Sequence, residues 1–149
     1  MWRDTIVVFC KRASNSGDMW FPYYLKGVDV NTDASWLMRN YGEEMAANIN
    51  LHIPCVIKDD VISIANYTYL KPKEWATKGT DEKADYITFD GGLDNCIVLH
   101  GDYDFPEPIM DDDYRQGFFQ YLKNNYDGVY QIISARMYSM IPHFELVGR

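Results

Sequence analysis

His143-Phe144-Glu145-Leu146-Val147-Gly148-Arg149 reads as a β-strand that carries the chain to its last residue without a polar tail. Such a strand is secure only when something tethers it, because a free sheet edge invites pairing with another chain. Residues 129–137 supply the nearest partner, across a turn that contains Pro142. The pair is expected to close a β-fold and to leave Arg149 at the surface. His143, Phe144, Leu146 and Arg149 are therefore candidate assembly residues.

Working outward, residues 114–124 read as the one convincing helix. Phe118, Tyr121 and Leu122 sit at i, i+3 and i+4, and Asp111, Asp112 and Asp113 precede them where negative charge complements the helix dipole. Residues 5–10 and 20–31 read as strands, the second with Pro22 favouring an edge position. Residues 48–53 alternate polar and apolar, the mark of a half-buried strand. Residues 61–64, 86–89 and 96–100 are further short strands, the last two flanking a hairpin-like connection at residues 90–95. Pro72 suits the first position of a helical turn over residues 71–76. Residues 77–84 read as charged loop and residues 102–113 as irregular, while residues 33–47 fit a short helix or a long loop about equally, since Gly42 interrupts them. No repeat, low-complexity tract or linker divides residues 1–149. The expected fold is one mainly β (α+β) domain: a small barrel or sandwich of about seven strands, with one helix and long loops.

Composition narrows the function classes. The aromatic share is 15%, with 12 Tyr and 4 Trp, which suits strands and partner contacts. A formal charge of −8 opposes an electrostatic grip on nucleic acid or anionic lipid. Cys10, Cys55 and Cys96 lack the close spacing of a metal or redox site and read as reduced, mostly buried thiols. The apolar run at residues 6–10 is too short for a signal peptide, and no segment approaches membrane-spanning length.

Each chemical constellation has a plainer reading. His100-Gly101-Asp102, with Asp104 and Glu107, is the best candidate for metal or acid–base work, but its spacing matches no ligand pattern and a solvated acidic loop explains it. Asp111-Asp112-Asp113 fits no calcium loop. Asp90-Gly91-Gly92 lacks the Lys of a P-loop and the third Gly of a dinucleotide fingerprint. The aromatics Trp20, Phe21, Tyr23 and Tyr24 lack the interleaved basic residues of a base-stacking surface, leaving core packing and subunit contact. No catalytic residue, metal site or cofactor is expected.

The order of several segments carries a resemblance. Asp4-Thr5-Ile6-Val7-Val8-Phe9 comes first, then Leu25-Lys26-Gly27-Val28-Asp29-Val30 and Ile53-Pro54. Tyr69-Leu70-Lys71-Pro72-Lys73-Glu74-Trp75 and Ile97-Val98-Leu99-His100-Gly101 follow, and Ile132-Ile133-Ser134-Ala135-Arg136 precedes the closing strand. This order is similar to a family of small structural proteins encoded in tailed-phage and prophage morphogenesis modules of Gram-positive hosts. The likeness covers most of the chain in outline and is best in the closing strands. Two features depart from it: Asp94-Asn95 stand where a Gly-Asp pair is usual, and residues 102–125 are longer than usual.

The resemblance implies a non-enzymatic virion protein of the neck, of head-completion or stopper type, made in the host bacterial cytoplasm. It implies a homo-oligomeric ring of six or twelve between the portal-adaptor complex and the tail-terminator or tail-tube proteins. DNA would pass through without specific recognition, and no membrane is involved. Asp33, Trp36, Tyr41, Glu43 and Glu44 in one loop, and Asp102, Asp104, Glu107, Asp111 and Asp112 in another, are the candidate channel or interface residues. A tail terminator or tail-completion protein is the alternative within the same biology. A monomeric binding or enzymatic domain using residues 100–107 is the alternative outside it.

Overall fold

β-Branched and aromatic residues dominate the strands, and their alternation decides which side chains share a face. The structure, a computed structural model, describes residues 2–92 and 94–149. In chain order the elements are β1 (Asp4–Arg12), β2 (Met19–Asn31), α1 (Ala34–Met45), β3 (Ile49–Pro54), β4 (Val56–Lys58), β5 (Val61–Ile64), β6 (Tyr67–Tyr69) and α2 (Pro72–Ala76). β7 (Tyr86–Ile87), β8 (Cys96–His100), β9 (Ile109–Met110), α3 (Phe118–Asn125), β10 (Val129–Tyr138) and β11 (His143–Gly148) follow.

Six strands pair antiparallel in the order β1-β8-β10-β11-β3-β2, and the β1–β2 pairing closes them into a barrel. β9 extends β2 outside the cycle, and β4-β5-β6-β7 form a separate small sheet. The expected β-rich barrel is therefore present. β11 is no edge: it pairs with β10 on one flank and β3 on the other. Arg149 is exposed, yet its backbone still exchanges hydrogen bonds with Gln131 at 2.9 and 2.8 Å.

Two apolar layers follow from the period-two alternation. Ile6, Val8, Tyr23, Leu25, Leu51, Ile53, Phe144 and Leu146 fill the barrel, where Ile64, Trp75 and Ile87 join them from α2 and the small sheet. The intervening residues Val7, Phe9, Ile97 and Leu99 point outward and are covered by Phe118 and Leu122 of α3. Each such side chain contributes about 1.5–3 kcal/mol when fully buried, so both layers are needed to offset chain entropy.

Several local expectations are corrected. The helix over residues 114–124 begins only at Phe118, because Gly117 takes φ 88° and breaks the turn, while residues 111–113 form their own 3-10 turn. Of the two readings open for residues 33–47, the helix is the one adopted, over Ala34–Met45, and Gly42 kinks it with φ 78°. Residues 86–89 do not form a hairpin with β8: Tyr86 and Ile87 pair parallel with β6 instead, and Leu93 of the proposed connection lies outside the described residues. Ile109–Met110, within the stretch expected to be irregular, pairs with Met19–Trp20. Lys83, expected in a solvated loop, is fully buried. Pro22 is accommodated because β2 has β1 on one flank there, while β9 and β3 reach only its two ends.

Cys10 and Cys96 face each other across β1 and β8, with Sγ atoms 3.8 Å apart, and Cys10 Sγ donates to the Thr88 carbonyl at 3.1 Å. Burial first, and the neighbouring Cys96 second, push the Cys10 thiol well up. Cys55 is half-buried and its thiol is raised by burial alone. Thiolate reacts rather than thiol, so a disulfide reagent at neutral pH is expected to modify Cys55 first in the native protein. Peptide mapping showing Cys10 or Cys96 modified as fast as Cys55 would contradict this burial.

Candidate functional site

The register of β2, β3, β11 and β10 lays one polar row across the outer wall of the barrel. Asp29 lies opposite His52, His52 opposite Glu145, and Glu145 opposite Arg136. One pair further along, His143 lies between Pro54 and Tyr138. Leu51, Ile53, Phe144 and Leu146 point inward between these positions, so alternation alone sends His52, His143 and Glu145 to the same outer face.

Those three side chains converge. One ligand atom from each lies within 4.8 Å of the others, and among the described residues they are the group of three or more that could hold a metal ion. His52 Nε2 is 3.6 Å from Glu145 Oε2, while His52 Nδ1 is 3.4 Å from Asp29 Oδ2. Glu145 Oε1 accepts from Tyr41 Oη at 2.7 Å and from Asn50 Nδ2 at 3.1 Å. Asn50 Nδ2 also donates to Tyr41 Oη at 2.7 Å, so this buried amide has two partners. Burial, then the hydrogen bond to Glu145 and its charge, push the Tyr41 hydroxyl up, which keeps it a donor.

His143 Nδ1 lies 2.7 Å from the Ile141 carbonyl. A carbonyl only accepts, so Nδ1 carries the proton and Nε2 is the lone-pair nitrogen of the neutral ring. Aromatic neighbours hold both imidazoles: Trp2 stacks on His52 at 5.6 Å, Tyr138 stacks on His143 at 5.0 Å, and the two imidazoles meet edge to face at 5.4 Å.

The same end of the barrel presents apolar hairpins. Met140 is 98% and Ile141 78% exposed at the β10–β11 turn, and Val56 is 63% and Val61 48% exposed on β4 and β5. The hairpins adjoin, because Cys55 N–H donates to the Pro142 carbonyl at 3.2 Å. Among the described residues β4 pairs only with β5, leaving its other edge free.

The residues singled out from the sequence fall on different walls. Asp33 caps α1 by accepting the Trp36 N–H at 3.0 Å, and Trp36 packs edge-on against Tyr41 at 5.9 Å. Glu43 and Glu44 are exposed near the kink. Asp102, Asp104 and Glu107 are exposed in a loop on the β1–β8 side, opposite the β3–β11 wall that carries α1, and Asp112 is exposed in the 3-10 turn that follows β9. That loop is anchored, since Tyr24 Oη donates to the Phe105 carbonyl at 3.0 Å and accepts its N–H at 2.9 Å. Asp111 is half-buried and accepts both the Trp20 indole N–H and the Phe118 N–H at 2.9 Å, ordering the start of α3. His100 meets Asp4 at 3.4 Å, with no convergence on the loop's other acids among the described residues. Tyr41 and His143 are the two singled-out residues that the fold brings to one cluster. His52, Asp29, Asn50 and Glu145 were not singled out; polar positions within the alternation of residues 48–53 were the one signal available for two of them.

A family model described as "Family of unknown function (DUF6751)" matches residues 1–149. No curated protein and no solved structure matches the chain.

Proposed function

We propose that this chain, which belongs to the family of unknown function DUF6751, is a structural protein of the tailed-phage neck. In this reading it is a head-completion or stopper-type subunit that joins a ring of its own copies between the portal-adaptor complex and the tail. The observation that carries the reading is the apolar end of the barrel. Met140, Ile141, Val56 and Val61 project on two adjoining hairpins beside the edge of β4 that has no partner among the described residues. Large apolar side chains grouped at a surface mark an interaction site, and an open strand edge adds backbone donors and acceptors to it.

A ring is a heterologous assembly, in which one surface of each copy meets a different surface of the next. The hairpin end supplies one such surface, and the neighbouring copy's outer wall is the partner. The net charge of −8 suits a channel lining, because anionic walls repel DNA phosphates and keep the duplex from adhering. The segment resemblance described above is the ground for reading these features as those of a neck protein rather than of a ring assembly in general.

Disruption of the gene in an inducible prophage that carries it tests the reading. Filled heads that leak DNA, beside unjoined tails of normal length, are expected. Tails of uncontrolled length would instead assign the protein to the tail terminator, and normal infectious virions would refute both. Met140→Asp with Ile141→Asp is expected to block joining while leaving thermal unfolding of the isolated protein within a few degrees of wild type, since both side chains are already in water.

A further inference from the structure

We infer that His52, His143 and Glu145 form a binding site for a borderline transition-metal ion of the Zn2+ class. The ligand atoms would be the Nε2 atoms of both histidines and Oε2 of Glu145. The inference does not depend on the neck assignment, because it stands on the arrangement of donors alone.

Three features separate this cluster from a chance cross-strand His–Glu pair. The near atoms of the three side chains already lie within 4.8 Å, whereas ligands about 2.0–2.2 Å from a tetrahedral ion sit roughly 3.3 Å apart. Small rotamer shifts on fixed strands close that gap. Each proposed ligand is also fixed through its other heteroatom: Asp29 faces His52 Nδ1 at 3.4 Å, the Ile141 carbonyl takes the His143 Nδ1 proton at 2.7 Å, and Tyr41 with Asn50 holds Glu145 Oε1. Metal-binding imidazoles commonly donate their second N–H to a carboxylate or carbonyl in this way, which sets the tautomer and raises ligand basicity. Finally, Trp2 and Tyr138 stack on the two rings and limit solvent on one side.

Donor type selects the ion. Two imidazoles and one carboxylate oxygen suit Zn2+, Co2+, Ni2+ or Cu2+, while Mg2+ and Ca2+ demand more oxygen ligands. Three protein ligands leave a fourth position for water, and a groove of about 290 Å3 lined by Tyr41, Arg136, Tyr138 and Glu145 opens beside the carboxylate ligand. A bound ion would bridge β3 to β11 and, through the Ile141 carbonyl, stiffen the turn that presents Met140 and Ile141.

Untagged full-length protein, stripped with a chelator, is titrated with Zn2+ against a chromogenic competitor, and Co2+ is added separately to read visible d–d bands. One equivalent of Zn2+ is expected to bind. At about a hundred times Kd it should raise Tm by roughly 5–10 °C, with Mg2+ giving no shift. His52→Gln, His143→Ala and Glu145→Gln should each weaken binding at least about tenfold, and Asp29→Asn about tenfold through His52. His100→Ala and Cys55→Ser should leave binding unchanged. Circular dichroism verifies that each variant is folded, and since His143 is half-exposed at a strand start its variant keeps the test usable if His52→Gln fails. No Zn2+ binding to the wild type, or equal binding by the folded ligand variants, overturns the site.

Discussion

Truncation after Pro142 is expected to abolish cooperative folding. The lost residues include Phe144, Leu146 and Val147, all buried, and each removes about 1.5–3 kcal/mol of apolar burial. Their sum is comparable to the whole stability of a domain, about 5–15 kcal/mol. The loss also cuts two ladders at once, because β11 bridges β10 and β3, and the barrel cycle opens. A single change gives a graded version. Leu146 is fully buried inside the barrel, so Leu146→Ala is expected to cost about 2–5 kcal/mol while keeping a native-like spectrum. Urea unfolding followed by circular dichroism measures both. A truncated chain that still unfolds in one transition near the wild-type midpoint would show that β11 is dispensable.

Lys83→Met is the second large effect expected. Lys83 is 0% exposed, and its ammonium donates to the Trp75 carbonyl at 2.8 Å and the Lys78 carbonyl at 2.6 Å, above the Trp75 ring at 4.3 Å. Its own carbonyl accepts from Tyr23 Oη at 2.8 Å, which in turn accepts the Trp75 indole N–H at 3.0 Å. One lysine thus ties α2 and the following turn to the barrel interior. Methionine keeps the volume but leaves two carbonyls without a charged donor, a loss of about 2–4 kcal/mol.

The pH dependence has a definite sign. Burial first, and the Arg12 charge second, bring the Lys83 ammonium down to about 8 from the ordinary value of 10.5. Below about 8 both folded and unfolded chains hold this proton, so stability does not vary with pH through this group. Between 8 and 10.5 the unfolded chain binds more proton, and stability from this residue rises with pH by at most about 3 kcal/mol. Buried tyrosines and thiols titrate in the opposite sense, so the readout is the difference between wild type and Lys83→Met. That gap should widen from pH 8 upward; a flat or narrowing gap would contradict the buried ammonium.

Fold class was legible wherever residue type and period agreed. Residues 5–10, 48–53 and 143–148 announce strands because β-branched or alternating side chains need a half-buried pleated surface. Placement failed where tertiary contacts overrode local pattern. Residues 86–89 look like one arm of a hairpin, yet Tyr86 and Ile87 pair with β6. Residues 77–84 look solvated, yet the turn carbonyls draw Lys83 inward. Asp111 reads as one of three helix-leading acids, but only the packed fold sets its carboxylate against Trp20 as well as Phe118.

The sequence by itself determined that residues 143–148 form a strand needing partners on a β-rich domain. Only the tertiary structure decided that this strand has a neighbour on both flanks, and that its outward Glu145 faces His52, which Asp29 faces in turn. The physical reason is register. Side chains alternate with period two, so a slip of one residue would send His143 and Glu145 into the core and Phe144 and Leu146 into water. Nothing local to residues 49–54 or 143–148 states how those distant segments align. The barrel's closure sets that alignment, and with it the cluster of two imidazoles and a carboxylate on its outer wall.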